Sequence, residues 1–382
     1  MSKGEGAARA GSGSSKPRLP GRMVLVFQGG GALGAYQVGV YQALHEARIE
    51  PDWVIGTSIG AINAAIIAGN AVDRRMERLA AFWERLERGG KMPWPWLGNS
   101  HPSLEALMEG IPGFFSPNWA AAWNWQAPVG AEHAAFYRTD ALKTTLAEFV
   151  DLERLGSEPT RLTVGCVNLC SGEMRYFDSR DMPLRLEHVL GSSALPPAFP
   201  AIRIDGAPYW DGGIYSNTPI EAVFDDHPRR DAVVFAVQMW HASGPEPESI
   251  WQVFGRHKDI QYASRASSHI ARQQQIHQLR HIVRELAARL PERLRRTPEV
   301  EALAAYGCGT LMHIIELDAP RIDGEDHTRD IDFSPGGIRA RWQAGYADTC
   351  RVLARRPWES EIDPMVGVAV HQVQGTGASS RP

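Results

Sequence analysis

A chain of 382 residues, 43% hydrophobic and 22% charged with a formal net charge of −4, is long enough to bury one large α/β core with an appendage and reads as globular and soluble. No run of about 18 apolar residues occurs, which excludes a spanning helix from the sequence pattern but leaves attachment to a membrane surface open. Four cysteines, Cys166, Cys170, Cys308 and Cys350, are too few and too scattered for a disulfide framework, and Cys166 and Cys170 lack a second pair at zinc-ligand spacing. They read as reduced thiols in a cytoplasmic protein, with no metal site.

Residues 1–22 are rich in Gly, Ser and basic side chains, without the apolar stretch of a signal peptide, and read as a disordered leader. Met23–Phe27 is a short apolar run that ends at glycines, the pattern of a strand buried on both faces of a parallel sheet. Ala35, Val38, Tyr41 and Leu44 then recur at helical spacing, Pro51 turns the chain into a second strand at Trp53-Val54-Ile55, and a second helix runs from about Ile59 to Ala68. Strand, helix, strand, helix predicts a three-layer α/β/α domain around a mostly parallel sheet, over residues 23–225.

The aromatic insertion at about 92–125 gathers Trp94, Trp96, Trp119, Trp123 and Trp125 with Phe114 and Phe115. It reads as a lid over a substrate pocket, or equally as a loop folded onto the core or into a homo-oligomer. Further strands are predicted at Leu162–Val167, Ala232–Val237 and Met312–Leu317. A largely helical extension is predicted over 226–370, where Ile276, Leu279, Val283, Leu286 and Leu290 mark the apolar face of an amphipathic helix. From Arg256 to Arg296 ten Lys or Arg stand against three Asp or Glu. That basic face suits anionic lipid head groups or nucleic acid, and equally the acidic remainder of the protein or a second subunit. His257, His269, His277 and His281 lack the spacing of a metal quartet and read as part of a solvated face; residues 371–382 read as a tail.

Three strings carry chemistry. Gly56-Thr57-Ser58-Ile59-Gly60, between a buried strand and a helix, is a nucleophile elbow: the turn strains Ser58, the glycines leave room, and the helix N-terminus favours negative charge. Gly29-Gly30-Gly31-Ala32-Leu33-Gly34 has two readings. With Glu50 and Asp52 following, it is nearly a dinucleotide-binding fingerprint. Beside an elbow, it is an oxyanion loop whose Gly30 and Gly31 N–H groups face a carbonyl oxygen, and the elbow favours this second reading. Ser58 needs a base. Asp211, in Asp211-Gly212-Gly213, is the candidate, and a triad that adds His241 is equally consistent with the spacing.

In this order the strings resemble the patatin-like phospholipases, over roughly Val24–Val223. Ser192-Ser193-Ala194-Leu195-Pro196-Pro197-Ala198-Phe199-Pro200 and Asp211–Pro219 resemble segments around that family's catalytic aspartate. The resemblance implies a Ser58–Asp211 dyad without histidine, an acyl-enzyme, and neither metal nor cofactor. Leu33 stands where some members carry a basic residue, and Asp-Gly-Gly where the plant proteins have Asp-Gly-Ala, so head-group preference does not transfer with the dyad. Asp332-Phe333-Ser334 and Arg341–Tyr346 resemble a C-terminal extension found in a bacterial subset. The expectation is a cofactor-independent serine acyl-ester hydrolase of lipids, in peripheral contact with a membrane or in a homo-oligomer, with no nucleic-acid partner. The alternatives are an esterase or thioesterase for short or oligomeric hydroxyacid esters and, from another class, a nucleotide-binding module.

Overall fold

In the computed structural model, residues 19–87, 102–123, 126–156, 159–322, 325–363 and 365–373 are described. The expected leader up to residue 18, Trp94, Trp96, Trp125, the side chain of Trp123 and the tail from residue 374 lie outside the described residues. From the N-terminus the elements are β1 (Arg22–Phe27), α1 (Ala35–Glu46), β2 (Trp53–Gly56), α2 (Ile59–Ala68) and α3 (Val72–Glu87). Next come α4 (Pro102–Glu109), β3 (Ser116–Pro117), α5 (Trp119–Trp123), β4 (Tyr137–Arg138) and α6 (Asp140–Phe149). They are followed by β5 (Arg161–Asn168), β6 (Met174–Asp178), α7 (Leu186–Ser192), β7 (Ile202–Ile204), β8 (Ala207–Asp211), α8 (Glu221–Phe224) and β9 (Ala232–Gln238). The chain closes with α9 (Ile250–Arg289), α10 (Glu292–Arg295), α11 (Pro298–Ala304), β10 (Met312–Asp318), α12 (Pro335–Arg355) and β11 (Val368–Val373).

Among the described residues nine strands form one sheet, in the order β11-β10-β9-β1-β2-β5-β8-β7 with β6 also on β5. From β11 to β5 the neighbours are parallel; β6, β7 and β8 add an antiparallel end. The central strand β1 explains its own sequence. Met23, Leu25 and Phe27 enter a core shared with α1, α2 and α3, while Val24 and Val26 enter a second core with Ile220, Val223, Phe224 and Ile270. Covered on both faces, such a strand must be apolar at every position. Helix α2 is buried at all ten residues and is accordingly apolar except for Asn63, whose amide is hydrogen-bonded to Gly34, Gln37 and Trp83. Helix α3 lies at the edge and carries a stripe, with Leu79, Phe82, Trp83 and Leu86 inward at helical spacing.

The region after residue 226 continues the same sheet, since β9 pairs with β1 and β10 and β11 extend it. Helix α12 packs on α1 with almost no side-chain spacer. A Cβ on Gly39 would lie 1.9 Å from the Trp342 carbonyl oxygen, and one on Gly345 2.1 Å from that of Tyr36. Around this crossing Tyr36 Oη donates to Asp348 (2.8 Å) and Trp342 Nε1 to Gln42 (2.6 Å).

Three expectations are corrected. Helix α9 buries Asp259, Ala263, Ile270, His277 and His281, and turns Leu279 and Leu286 of the expected apolar stripe to solvent at 61% and 60% exposure, while Ile276 and Val283 are half-buried. His277 and His281 are not solvated: both ring Nε2 atoms lie against the Thr310 carbonyl oxygen, at 2.8 and 3.0 Å, and burial lowers the His277 pKa. His371 to Val373 belong to β11 rather than to a tail. No helix among the described residues is long and apolar enough to cross a membrane.

Candidate active site

Parallel strands β1 and β2 release the glycine loop and the elbow side by side at the same end of the sheet. The elbow closes only because two positions lack side chains: a Cβ on Gly56 would meet the Gly60 carbonyl oxygen at 2.3 Å, and one on Gly60 that of Phe27 at 2.5 Å. Ser58 sits between them at φ 58°, ψ −128°, a conformation that costs a non-glycine residue about 1–3 kcal/mol and persists when its surroundings hold it. Here α7 is the holder. The Ser58 N–H donates to the Ser192 carbonyl (3.0 Å), and Ser193 Oγ donates to the Ser58 carbonyl (3.3 Å). Thr57 is buried and donates through Oγ1 to the Ser216 carbonyl (3.4 Å); Ile59 opens α2 directly beneath the serine.

Asp211 ends β8, opposite Cys166 of β5, and is 1% exposed. Its Oδ1 accepts the Gly213 N–H at 2.7 Å, while Oδ2 is buried without a hydrogen-bond partner. Burial pushes the carboxyl pKa up to about 7, and the Ser58 hydroxyl and the Gly213 N–H draw it partly back. The hydroxyl thus lies near enough to act on the carboxyl without closing a hydrogen bond to Oδ2. Gly212 admits β5, a Cβ there falling 2.4 Å from the Gly165 carbonyl oxygen.

The glycine loop is tied at both ends. The Gly29 carbonyl accepts from Asn217 Nδ2 (3.0 Å) and Trp240 Nε1 (2.8 Å), and its N–H donates to the Asn217 carbonyl (3.2 Å). Gly34 abuts Ile59, and Gly31, at φ +56°, abuts the carbonyl of Asp330. Gly29, Gly30, Gly31, Ser58, Asp211 and Gly213 open on one cavity of about 250 Å³. Its far wall is aromatic. Phe115 contacts Tyr137 and Phe199 at ring distances of 4.9 and 5.4 Å, and Phe114 contacts Phe333 at 5.8 Å. Phe114 and Phe115 of the aromatic insertion are therefore buried cavity wall, whereas Trp119 is 60% exposed.

Two alternatives lose their geometry. His241 lies on a separate small cavity with Tyr36 and Arg329, so the triad reading fails. Asp52 accepts the Met23 N–H (2.7 Å) and Glu50 accepts from Tyr41 and Arg75 (2.9 Å each), before β2 and at the opposite end of the strands from the glycine loop; neither can serve a ligand there. Among the described residues no three His, Cys, Asp or Glu side chains gather as a metal site. The braces from Ser192, Ser193 and Asn217 and the wall residue Phe333 fall within strings quoted for resemblance, but without a role, and Trp240, Lys258 and Asp330 have no signal in a sequence reading at all.

An α/β/α fold here presents an elbow serine and a buried carboxylic acid to one largely apolar cavity. The chain belongs to the patatin-like phospholipase family, which matches residues 25–224; a second family, DUF3734, described as patatin phospholipase, matches residues 260–365. It is similar to lysophospholipase nte1 of Aspergillus terreus, 58% identical over 55 residues, which are 14% of this chain and 4% of that protein. It is also similar to lysophospholipase NTE1 of Chaetomium globosum, 43% identical over 75 residues, covering 17% and 5% of the two chains. The matches thus span no more than 5% of the length of these curated relatives. Among solved structures, VipD from Legionella pneumophila aligns at a TM-score of 0.41 and 16% identity, over 88% of this chain and 67% of that one. The type III effector ExoU of Pseudomonas aeruginosa aligns at 0.33 and 13%, over 88% and 53%.

Proposed function

We propose that this chain hydrolyses a carboxylic ester of a phospholipid or lysophospholipid, with Ser58 as nucleophile, Asp211 as base and the N–H groups of Gly30 and Gly31 as the oxyanion site. The observation that carries the reading is the meeting of the Ser58 elbow with the buried, partnerless Oδ2 of Asp211 on one apolar cavity. Ionised Asp211 takes the Ser58 proton as the serine oxygen bonds to the ester carbon, and the resulting oxyanion rests against the glycine-loop N–H groups and the N-terminus of α2. Collapse breaks the bond to the leaving alcohol, which takes the proton from Asp211. Water then attacks the acyl-enzyme, Asp211 accepts its proton, and Ser58 recovers that proton as the fatty acid leaves. The aromatic wall accounts for an acyl chain rather than a polar acid.

The four cysteines are all free, which fits the reducing cell interior, where we place the enzyme at a membrane surface. In support, Leu107 lines the cavity while 43% exposed, Met108 beside it is 58% exposed, and Ile250, Trp251, Val253 and Phe254 are exposed on the first turns of the helix that brings Lys258 and Tyr262 to the cavity. The test of the chemistry is hydrolysis of p-nitrophenyl and lysophospholipid esters by the wild type, Ser58→Ala and Asp211→Asn, each checked for folding. Loss of at least about 1,000-fold in both variants is expected; activity retained by Ser58→Ala would refute the assignment.

A further inference from the structure

Two consecutive residues of the C-terminal region reach the glycine loop, one directly and one through Trp240. The Asp330 carbonyl oxygen lies 2.2 Å from where a Cβ of Gly31 would stand, a direct backbone contact. The Arg329 guanidinium lies 5.4 Å over the ring of Trp240, whose Nε1 holds the Gly29 carbonyl. Both residues are in turn held by two consecutive residues of α9. Lys258 Nζ reaches the Asp330 carboxylate oxygens at 2.7 and 2.8 Å and the His327 carbonyl at 3.3 Å. Asp259, buried at 5% exposure, binds Arg329 and, at 3.1 Å, Arg321. Three residues beyond Asp330, Phe333 closes the cavity and stacks on Trp83 at a ring distance of 6.3 Å.

We propose that Arg329–Phe333, clamped to α9 by the Lys258–Asp330 and Asp259–Arg329 pairs, is a working part of the catalytic site: it fixes Gly31 of the oxyanion loop and shuts the acyl end of the cavity. The proposal rests on the hydrolase reading of the same site. Glycine at positive φ has the softest backbone in the chain, and Gly31 carries no side chain by which the core could hold it. Gly29 is fixed by Asn217 and Trp240, Gly34 by Ile59, and Ala32 and Leu33 by the core, whereas the backbone of Gly31 lies directly against the Asp330 carbonyl. An oxyanion donor works only where it is held before the charge develops. Lys258 and Asp330 are therefore positioning residues, and the region matched by DUF3734, which adds β10 to the sheet, also sets turnover through Arg329–Phe333.

Full-length Lys258→Gln, Asp330→Asn, their double variant and Lys258→Arg would be compared with the wild type on p-nitrophenyl butyrate, with urea unfolding of each. Both neutral variants are expected to lose about 10- to 100-fold in kcat with KM within about threefold, because a donor displaced by an ångström costs that order of rate. The double variant should be no worse than either single one, and Lys258→Arg should retain most of the activity. Asp330→Glu keeps both charges and lengthens the strap by one methylene, so a kcat fall of about threefold or more at an unchanged urea midpoint is expected even where the neutral variants fail to fold. Wild-type kcat in Lys258→Gln, Asp330→Asn or Asp330→Glu, or losses that merely follow a lowered midpoint, would overturn the clamp. Wild-type activity that survives Ser58→Ala would instead sink the hydrolase reading, and the clamp with it.

Discussion

Replacement of Asp211 by Asn should abolish turnover and stabilise the protein, and the stabilisation should depend on pH with a sign the site dictates. Asp211 is 1% exposed and its pKa stands at about 7 in the folded chain against an ordinary 3.8. A rise of about three units corresponds to about 4 kcal/mol that the ionised carboxylate costs the fold. Because the folded state binds the proton more tightly, this group's contribution to stability is full below pH 4, declines as pH rises, and is lost above pH 7. Between pH 5 and pH 8 the decline from this one group is about 3 kcal/mol. Asparagine does not titrate, can still accept the Gly213 N–H through Oδ1, and places an amide where Oδ2 has no partner. The advantage of Asp211→Asn over wild type should therefore grow by about 3 kcal/mol from pH 5 to pH 8, all other titrations being shared. Urea unfolding of both proteins at the two pH values measures it, with equal m-values as the check on the comparison. A gap that is the same at both pH values would refute the raised pKa, and with it the argument that burial makes Asp211 a base at neutral pH.

Other outcomes follow from the same geometry. With Asp211 titrating at about 7, kcat/KM should rise about tenfold between pH 6 and pH 8, as the ionised fraction climbs from about a tenth to about nine tenths; a flat profile would count against the dyad. Gly345→Ala drives a methyl into the Tyr36 carbonyl at the α1–α12 crossing and should cost about 3 kcal/mol in urea unfolding. Phe115→Ala removes a ring packed on Tyr137 and Phe199, and should cost about 3 kcal/mol and move the acyl-chain optimum of a p-nitrophenyl ester series to longer chains; an unmoved optimum would take that wall out of substrate binding. Trp251→Glu with Phe254→Glu should weaken binding to mixed phosphatidylcholine and phosphatidylglycerol vesicles by about tenfold or more while hydrolysis of soluble esters is unchanged.

What was legible in the sequence is what neighbouring residues decide among themselves. Met23–Phe27 must be a doubly covered strand, and Gly56, Ser58 and Gly60 form an elbow because the glycines meet backbone within four residues or at the adjoining strand end. The supports of the site were not legible, because each joins distant parts of the chain: Ser58 to Ser192 across 134 residues, Gly29 to Asn217 across 188 and to Trp240 across 211, Lys258 to Asp330 across 72. The face of α9 was misread for a chemical reason. Its buried strip runs through Ala263, Ile270 and His277, and includes two histidines whose Nε2 atoms share a single carbonyl and are crowded by Gly367, while leucines at helical spacing lie outside. Periodicity finds the apolar stripe of a helix, and here the core accepted two histidines that share the Thr310 carbonyl, at the cost of leaving His277 Nδ1 buried without a partner.

On the proposed mechanism, the same backbone logic explains how the site would do without histidine. An imidazole base needs a third residue to hold its ring and select its tautomer, as in the three-residue triads. A carboxylate on a fixed backbone needs less. Gly212 lets β8 close on β5, the Gly213 N–H binds Oδ1, and the other oxygen is thereby aimed by main chain alone. The weakness of an ordinary carboxylate is its low pKa, and enclosure on β8 removes it by raising Asp211 to about 7, close to where histidine would titrate. On the proposed mechanism, orientation by the Gly213 N–H and basicity by burial replace the two jobs that a histidine and its partner divide. Exposing Asp211 while preserving its bond to Gly213 should then lower its pKa and slow the reaction without moving the nucleophile. Met174→Ala opens such a route, since Met174 Cε stands within 2.4 Å of where a Gly165 Cβ would be and 3.0 Å of the same point at Gly212. The expected result is an acid shift of the pH–rate midpoint with a fall in limiting kcat; an unshifted midpoint would mean that something other than burial sets the base.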